Sequence, residues 1–324
     1  MDWSAAGAPL IATRAVHFAA TAIVVGSVIF GRLIAMPVLH DHAAATIAFR
    51  SRTRRHIWAS LALAVISGAI WLLLQTASMS GMPLVDALTA DILSTVVNET
   101  QFGEMTIIRA GLAICLAACL IADRAVAAQW LGLAAAIGLA GSLAWTGHAA
   151  STVGPTGYLH LAADALHTVA AAAWIGGLVS LITFLATRKV RESMSLVRNA
   201  TERFSTLGIV SVATILLSGV VNATFLVGSL HGLVATEYGR LLMLKIAIFA
   251  AMLVFAAINR FRLTPQFAAT GGEQSSVALR HLIRNSAIET TLGLGIIVIV
   301  GLLGTLHPAI HLQDASDLLL TRQR

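Results

Sequence analysis

Eight apolar runs, each about 20 residues long, leave the chain almost no freedom of architecture. They fall at roughly 11–37, 57–79, 105–122, 126–147, 160–187, 206–229, 240–259 and 285–306. In hydrocarbon every backbone N–H and C=O must be satisfied within the segment, so runs of this length predict helices that cross a bilayer. Only 11% of the residues are charged and 57% are hydrophobic, against about 25% charged in a soluble domain. The expectation is an all-α polytopic membrane protein with eight transmembrane helices, a single membrane domain over 1–324, and the lipid bilayer as its first partner. Asp2, the lack of a basic segment before the first run, and His17 and Arg32 around it argue against a cleaved signal peptide.

Basic residues gather after the odd-numbered spans: Arg50, Arg52, Arg54 and Arg55; Arg188, Lys189, Arg191, Arg198 and Arg203; Arg260, Arg262, Arg280 and Arg284. The positive-inside rule makes these segments cytoplasmic and puts both termini on the outer side, which is the periplasm if the membrane is a bacterial inner one. This asymmetry accounts for the net charge of +6 and calls for no nucleic acid. Trp3, Trp58 and Trp145 are expected at the interfaces, and Trp174 in the core.

Two four-span repeats are expected, about 11–150 and about 160–310, related by a pseudo-two-fold axis along the membrane normal. AVHFAATAIVVGS aligns with ALHTVAAAAWIGG, pairing His17 with His167 and Gly26 with Gly176. Ser67-Gly68 and Ser218-Gly219 follow those histidines by 50 and 51 residues. Phe102-Gly103 and Tyr238-Gly239 open the third span of each half, with Arg109 and Lys245 six residues beyond the glycine. His148 pairs with His307 at the ends of the fourth spans.

Polar residues inside the membrane are costly and mark function. In the run HLAADALHTVAAAAWIGG, His160, Asp164 and His167 lie at i, i+4 and i+7, one face of a helix. His148 lies eleven residues of loop away. Imidazole with one carboxylate suits Cu(II) or Zn, and Met79, Met82 and Met105 keep a Cu(I) route open. His148, His160, Asp164, His167, His17 and His307 are therefore the candidate metal ligands. Asp164, matched by Arg14 in the first half, is expected to pair with Arg14 or Lys245. Glu289 has two readings, a partner for Arg284 or for a basic loop residue, or a member of an ion path. Cys115 and Cys119, both in the third span, read as small residues of a helix interface and imply no disulfide framework. Phosphate loops, HExxH and nucleophile elbows are absent. No enzyme is expected, no catalytic residue is assigned, and any transport is expected to be passive or coupled to another gradient.

TGHA (146–149), HLAADALHTVAAAAWIGGL (160–178), RFS (203–205), SGVVNA (218–223), TEYGRLLMLK (236–245) and AINR (257–260) together resemble the copper resistance protein D family, CopD and its relatives. The resemblance implies a bacterial inner-membrane protein that moves copper ions across the membrane. It implies periplasmic capture beside a separate CopC-like copper-binding protein. It supports His148, His160, Asp164 and His167, and more weakly His17; His307 rests on the repeat. Two other functions stay open on the residues: a redox protein holding b-type haem between transmembrane histidines, and a scaffold that binds metal without moving it.

Overall fold

A computed structural model describes residues 7–152, 154–269 and 273–310; Trp3 lies outside them. Among these residues the chain is helical with no strands. Eight helices are long and apolar enough to cross a membrane: α1 Gly7–Leu39, α2 Ala43–Ser80, α3 Gln101–Ile121, α4 Val126–Thr146, α5 Pro155–Leu185, α6 Met194–Leu226, α7 Glu237–Leu263 and α8 Ser275–Leu303. Each contains the core of one expected span. The helices α2, α6 and α8 run well past those spans toward the basic end of the bundle. The arginines assigned to loops there, Arg50 to Arg55, Arg198, Arg203, Arg280 and Arg284, stand on helical turns.

The centre of the bundle is the pair α1 and α5. α1 packs on α2, α4 and α8, while α5 packs on α6, α4 and α8; α3 pairs with α4 and α7 with α8. With no hydrophobic gain from leaving lipid, such contacts depend on close backbone approach through small residues. Gly26 faces the Ala172 carbonyl and Gly176 faces the Ala22 carbonyl, so the contact is reciprocal. One turn on, Ser180 donates to Ser27 at 2.9 Å. Toward the basic end, Phe30, Phe49, Phe184 and Phe204 form a ring cluster with centroids 5.3–6.2 Å apart. Trp174 is buried and meets Phe249 edge-on at 5.8 Å, the core position expected for it. The outer helices α2, α3, α6 and α7 turn Ile66, Ile114, Leu217 and Val254 outward, as lipid-facing helices do.

The opposite end, which we call the histidine end, carries short helices before α3 (Ala90–Glu99) and α7 (Leu230–Ala235). Both α3 and α7 start the same way: Thr100 Oγ1 accepts from Gly103 N and Thr236 Oγ1 from Gly239 N, each at 3.0 Å. The glycines abut carbonyls of the preceding short helix, leaving no room for a side chain. Thr236→Ala removes one cap and is expected to destabilise the protein by about 1 kcal/mol, read as a lowered melting temperature in detergent; an unchanged melting temperature would contradict it.

Candidate functional site

The second-half polar face is built on α5, which starts at Pro155 after Gly154 at φ +86°. Proline suits the first helical position because its missing N–H would lack a partner there. More than three turns in, His167 meets α6: its Nδ1 lies 3.0 Å from Ser218 Oγ. That hydroxyl already donates its one proton to the Thr214 carbonyl at 2.5 Å, so it accepts from the ring. His167 is thereby held as the Nδ1–H tautomer, and its Nε2 lone pair is left to face a ligand. Fixing a histidine through its other ring nitrogen is how proteins prepare a metal ligand. If His167 ligates a metal ion, Ser218→Ala weakens that binding about 10–100-fold, the usual effect of losing such a partner, measured with Cu(II) by competition with a chelator. Wild-type affinity in that variant would remove the role.

Asp164, one turn before His167, accepts from Asn222 Nδ2 at 2.9 Å. The expected ion pair with Arg14 does not form, because Arg14 Nη1 donates instead to the Gly304 carbonyl at 3.0 Å. Lys245 is the charge that bears on both Asp164 and His167, yet among the described residues no cation approaches Asp164 within 4.0 Å. The carboxylate is held by an amide, with the ammonium farther off.

His160 is buried, stacks on Phe225 at 4.6 Å and 7°, and shares a 2.8 Å hydrogen bond from Nδ1 with Thr152 Oγ1. His148 stands on a 3₁₀ turn after α4; its Nε2 donates to the Leu303 carbonyl at 3.2 Å, and its ring lies 6.1 Å from Tyr238. His307 follows α8 and is exposed. These residues share the histidine end but have separate partners. Among the described residues no three His, Cys, Asp or Glu side chains are grouped to hold one ion. Along α5 itself His160, Asp164 and His167 follow one another on one face over two turns.

His17, on α1, repeats the His167 geometry. Its Nδ1 lies 2.9 Å from the Ala64 carbonyl and 3.3 Å from Ser67 Oγ, and Ser67 donates to the Leu63 carbonyl at 2.6 Å. A carbonyl can only accept, so His17 is also the Nδ1–H tautomer, and its buried Nε2 has no partner among the described residues. Its surroundings differ, since Arg109 bears on the ring and Trp71 packs against it at 5.4 Å.

At the basic end, Glu289 is buried and accepts from Asn259 Nδ2 at 2.6 Å, while Asn285 Nδ2 donates to Asn259 Oδ1 at 3.0 Å. The expected partner Arg284 is not bonded to it. Asn259 opens a π-helical turn, Asn259–Leu263, and with Glu289 and Ser286 it edges a cavity of about 370 Å³. Cys119 is buried and Cys115 half-buried in α3, both as free thiols, while Met79 and Met82 are exposed.

Ser218, Asn222, Thr152 and Phe225 are the partners that sequence reasoning did not assign. Ser218 and Asn222 lie four apart, one helical turn, so they share a face of α6. A polar pair on one face of an apolar span was the available signal.

Two family models match the chain. One, Copper resistance protein D-like, N-terminal domain, covers residues 4–158; the other, Copper resistance protein D, covers residues 198–303. Copper resistance protein D of Pseudomonas syringae pv. tomato is 35% identical over 221 residues, 65% of this chain and 70% of that protein. Inner membrane protein YebZ of Escherichia coli (strain K12) is 30% identical over 92% of this chain and 98% of its own length. Copper transport protein CutJ of Bacillus subtilis (strain 168) is 30% identical over 80% of this chain, which spans 47% of it. No solved structure matches.

Proposed function

Because the chain belongs to the copper resistance protein D family, whose members are copper resistance and transport membrane proteins, we propose that it takes up copper at the histidine end of the bundle and passes it into the membrane domain. The observation that carries this reading is the tautomer of His167. Ser218 fixes its Nδ1–H and leaves Nε2 as a lone pair, on the α5 face that carries Asp164 one turn earlier. His148 and His160 stand nearer the bundle end, and His148 bears electrostatically on His160. An ion entering there meets imidazoles and then a carboxylate, a donor set suited to copper. A file of donors suits delivery, because an ion that must leave again is better served by partial shells than by one closed shell. His17 belongs to a more cationic setting and His307 to the exposed rim, so both are peripheral ligands in this reading.

The basic end is cytoplasmic and the histidine end periplasmic, by the distribution of arginine and lysine. The membrane is the bacterial inner membrane, in keeping with the printed name of the E. coli relative. A separate periplasmic copper-binding protein resembling CopC supplies the ion. The two halves are parallel repeats, a reading supported by the reciprocal Gly26 and Gly176 contacts and by the matched caps of α3 and α7.

Purified protein in proteoliposomes is expected to accumulate copper, and to lose that uptake when His167 is replaced by alanine. Copper binding without uptake would make it a metal-binding scaffold. The Nε2 lone pairs of His17 and His167 are also what a haem iron takes. A Soret band in the protein as isolated would favour the redox reading over copper.

A further inference from the structure

The first half of the bundle holds two cations buried without a counter-charge. Arg14 on α1 and Arg109 on α3 are 6% and 8% exposed, and among the described residues neither has a carboxylate within 4.0 Å. Both flank the indole of Trp71, with guanidinium carbons 5.3 and 5.2 Å from its ring centre. Among the described residues their hydrogen bonds run to the carbonyls of Gly304 and Met105. Among the described residues four buried polar atoms there have no partner: Arg14 Nε, Arg109 Nη2, Trp71 Nε1 and His17 Nε2. A guanidinium over an indole gains about 2 kcal/mol when desolvated, which does not offset the several kcal/mol each buried ion costs.

The matching place in the second half is neutralised. Asp164 stands where the repeat puts Arg14, Lys245 where it puts Arg109, and Asn222 where the spacing from Ser218 matches Trp71 to Ser67. The contacts match as well: Asn222 binds Asp164 as Trp71 meets Arg14. One position thus carries an acid and a base, the other two bases. The guanidinium of Arg14 lies directly against Gly304, the residue whose carbonyl it binds.

We propose that Arg14, Arg109 and Trp71 form an oxyanion site in the first half of the bundle, taking a phosphate group from a phospholipid headgroup or from free phosphate. The three unpartnered N–H groups are donors for its oxygens, and His17 Nε2 accepts from a protonated one. The site lies in the first half, shares only the peripheral His17 with the copper reading, and stands whether or not that reading holds.

The test uses the full-length protein in a non-ionic detergent, with inorganic phosphate as probe and buffers matched in ionic strength. Phosphate is expected to raise the melting temperature of the wild type saturably, or native mass spectra to show a retained phospholipid; the first result identifies the free ion and the second the lipid. Arg14→Asp supplies an internal carboxylate for Arg109 and is expected to lose both responses while remaining folded. Trp71→Phe keeps the ring but drops one donor, and is expected to weaken the response several-fold. Wild-type protein with neither response, or Arg14→Asp and Trp71→Phe responding as the wild type does, would overturn the site. Copper affinity, measured on the same samples, reports separately on α5.

Discussion

Replacing His148 and His167 together with alanine is expected to abolish copper binding by the purified protein, a fall of at least about 100-fold in affinity. The size follows from how the two rings are held. His167 has its Nδ1–H committed to Ser218, which donates its own proton to the Thr214 carbonyl; the ring is oriented for a ligand, and alanine removes the lone pair outright. His148 is anchored to the Leu303 carbonyl through Nε2, which ties the end of α8 to the turn after α4. Losing both takes a donor from the bundle end and another from more than three turns inside α5, leaving His160 and Asp164 with their own partners. Because these rings are not part of the central α1–α5 contact, the variant should fold and remain monodisperse. Unchanged affinity and stoichiometry would show that copper binds elsewhere.

Gly176→Leu is expected to be the most damaging single substitution for the fold, costing about 3 kcal/mol or more. At this position α5 touches α1 backbone to backbone, against the Ala22 carbonyl and Gly26. A Cβ alone would overlap the carbonyl, and no side-chain rotation relieves a clash with backbone. The helices must separate, which also breaks the Ser27–Ser180 hydrogen bond and loosens the packing on which membrane helices depend. The outcome is read as a large fall in melting temperature and loss of a monodisperse peak in detergent. A variant with wild-type stability would mean that the α1–α5 contact is not the organising one. Gly208, which has open space around it, serves as the control: Gly208→Ala should leave stability unchanged or slightly raised.

The number and order of the membrane helices were legible in the sequence because each apolar run reports the stretch that must lie in hydrocarbon. Their lengths were not. α2 has 38 residues, about 57 Å at 1.5 Å per residue, whereas the hydrocarbon core is about 30 Å thick. The surplus carries arginines into water, where a helix needs no apolar run to continue. The polar face of α5 was equally legible, since His160, Asp164 and His167 follow from helical spacing alone. Their partners were not, because Ser218 and Asn222 lie more than fifty residues away on α6 and no local pattern encodes which helix α5 will meet. Charge balance misled in one place: Asp164 and Arg14 looked like complements, yet α1 turns Arg14 toward the end of α8 and toward Trp71. The π turn at Asn259, which brings an amide to Glu289, carries no sequence signature at all.

Copper K-edge X-ray absorption on the copper-loaded wild-type protein tests the central claim most directly. The account predicts a nitrogen and oxygen shell with the multiple-scattering pattern of imidazole, lost in the His148→Ala, His167→Ala double variant. A shell of sulfur alone, pointing to Met79, Met82 or the cysteines of α3, would contradict it.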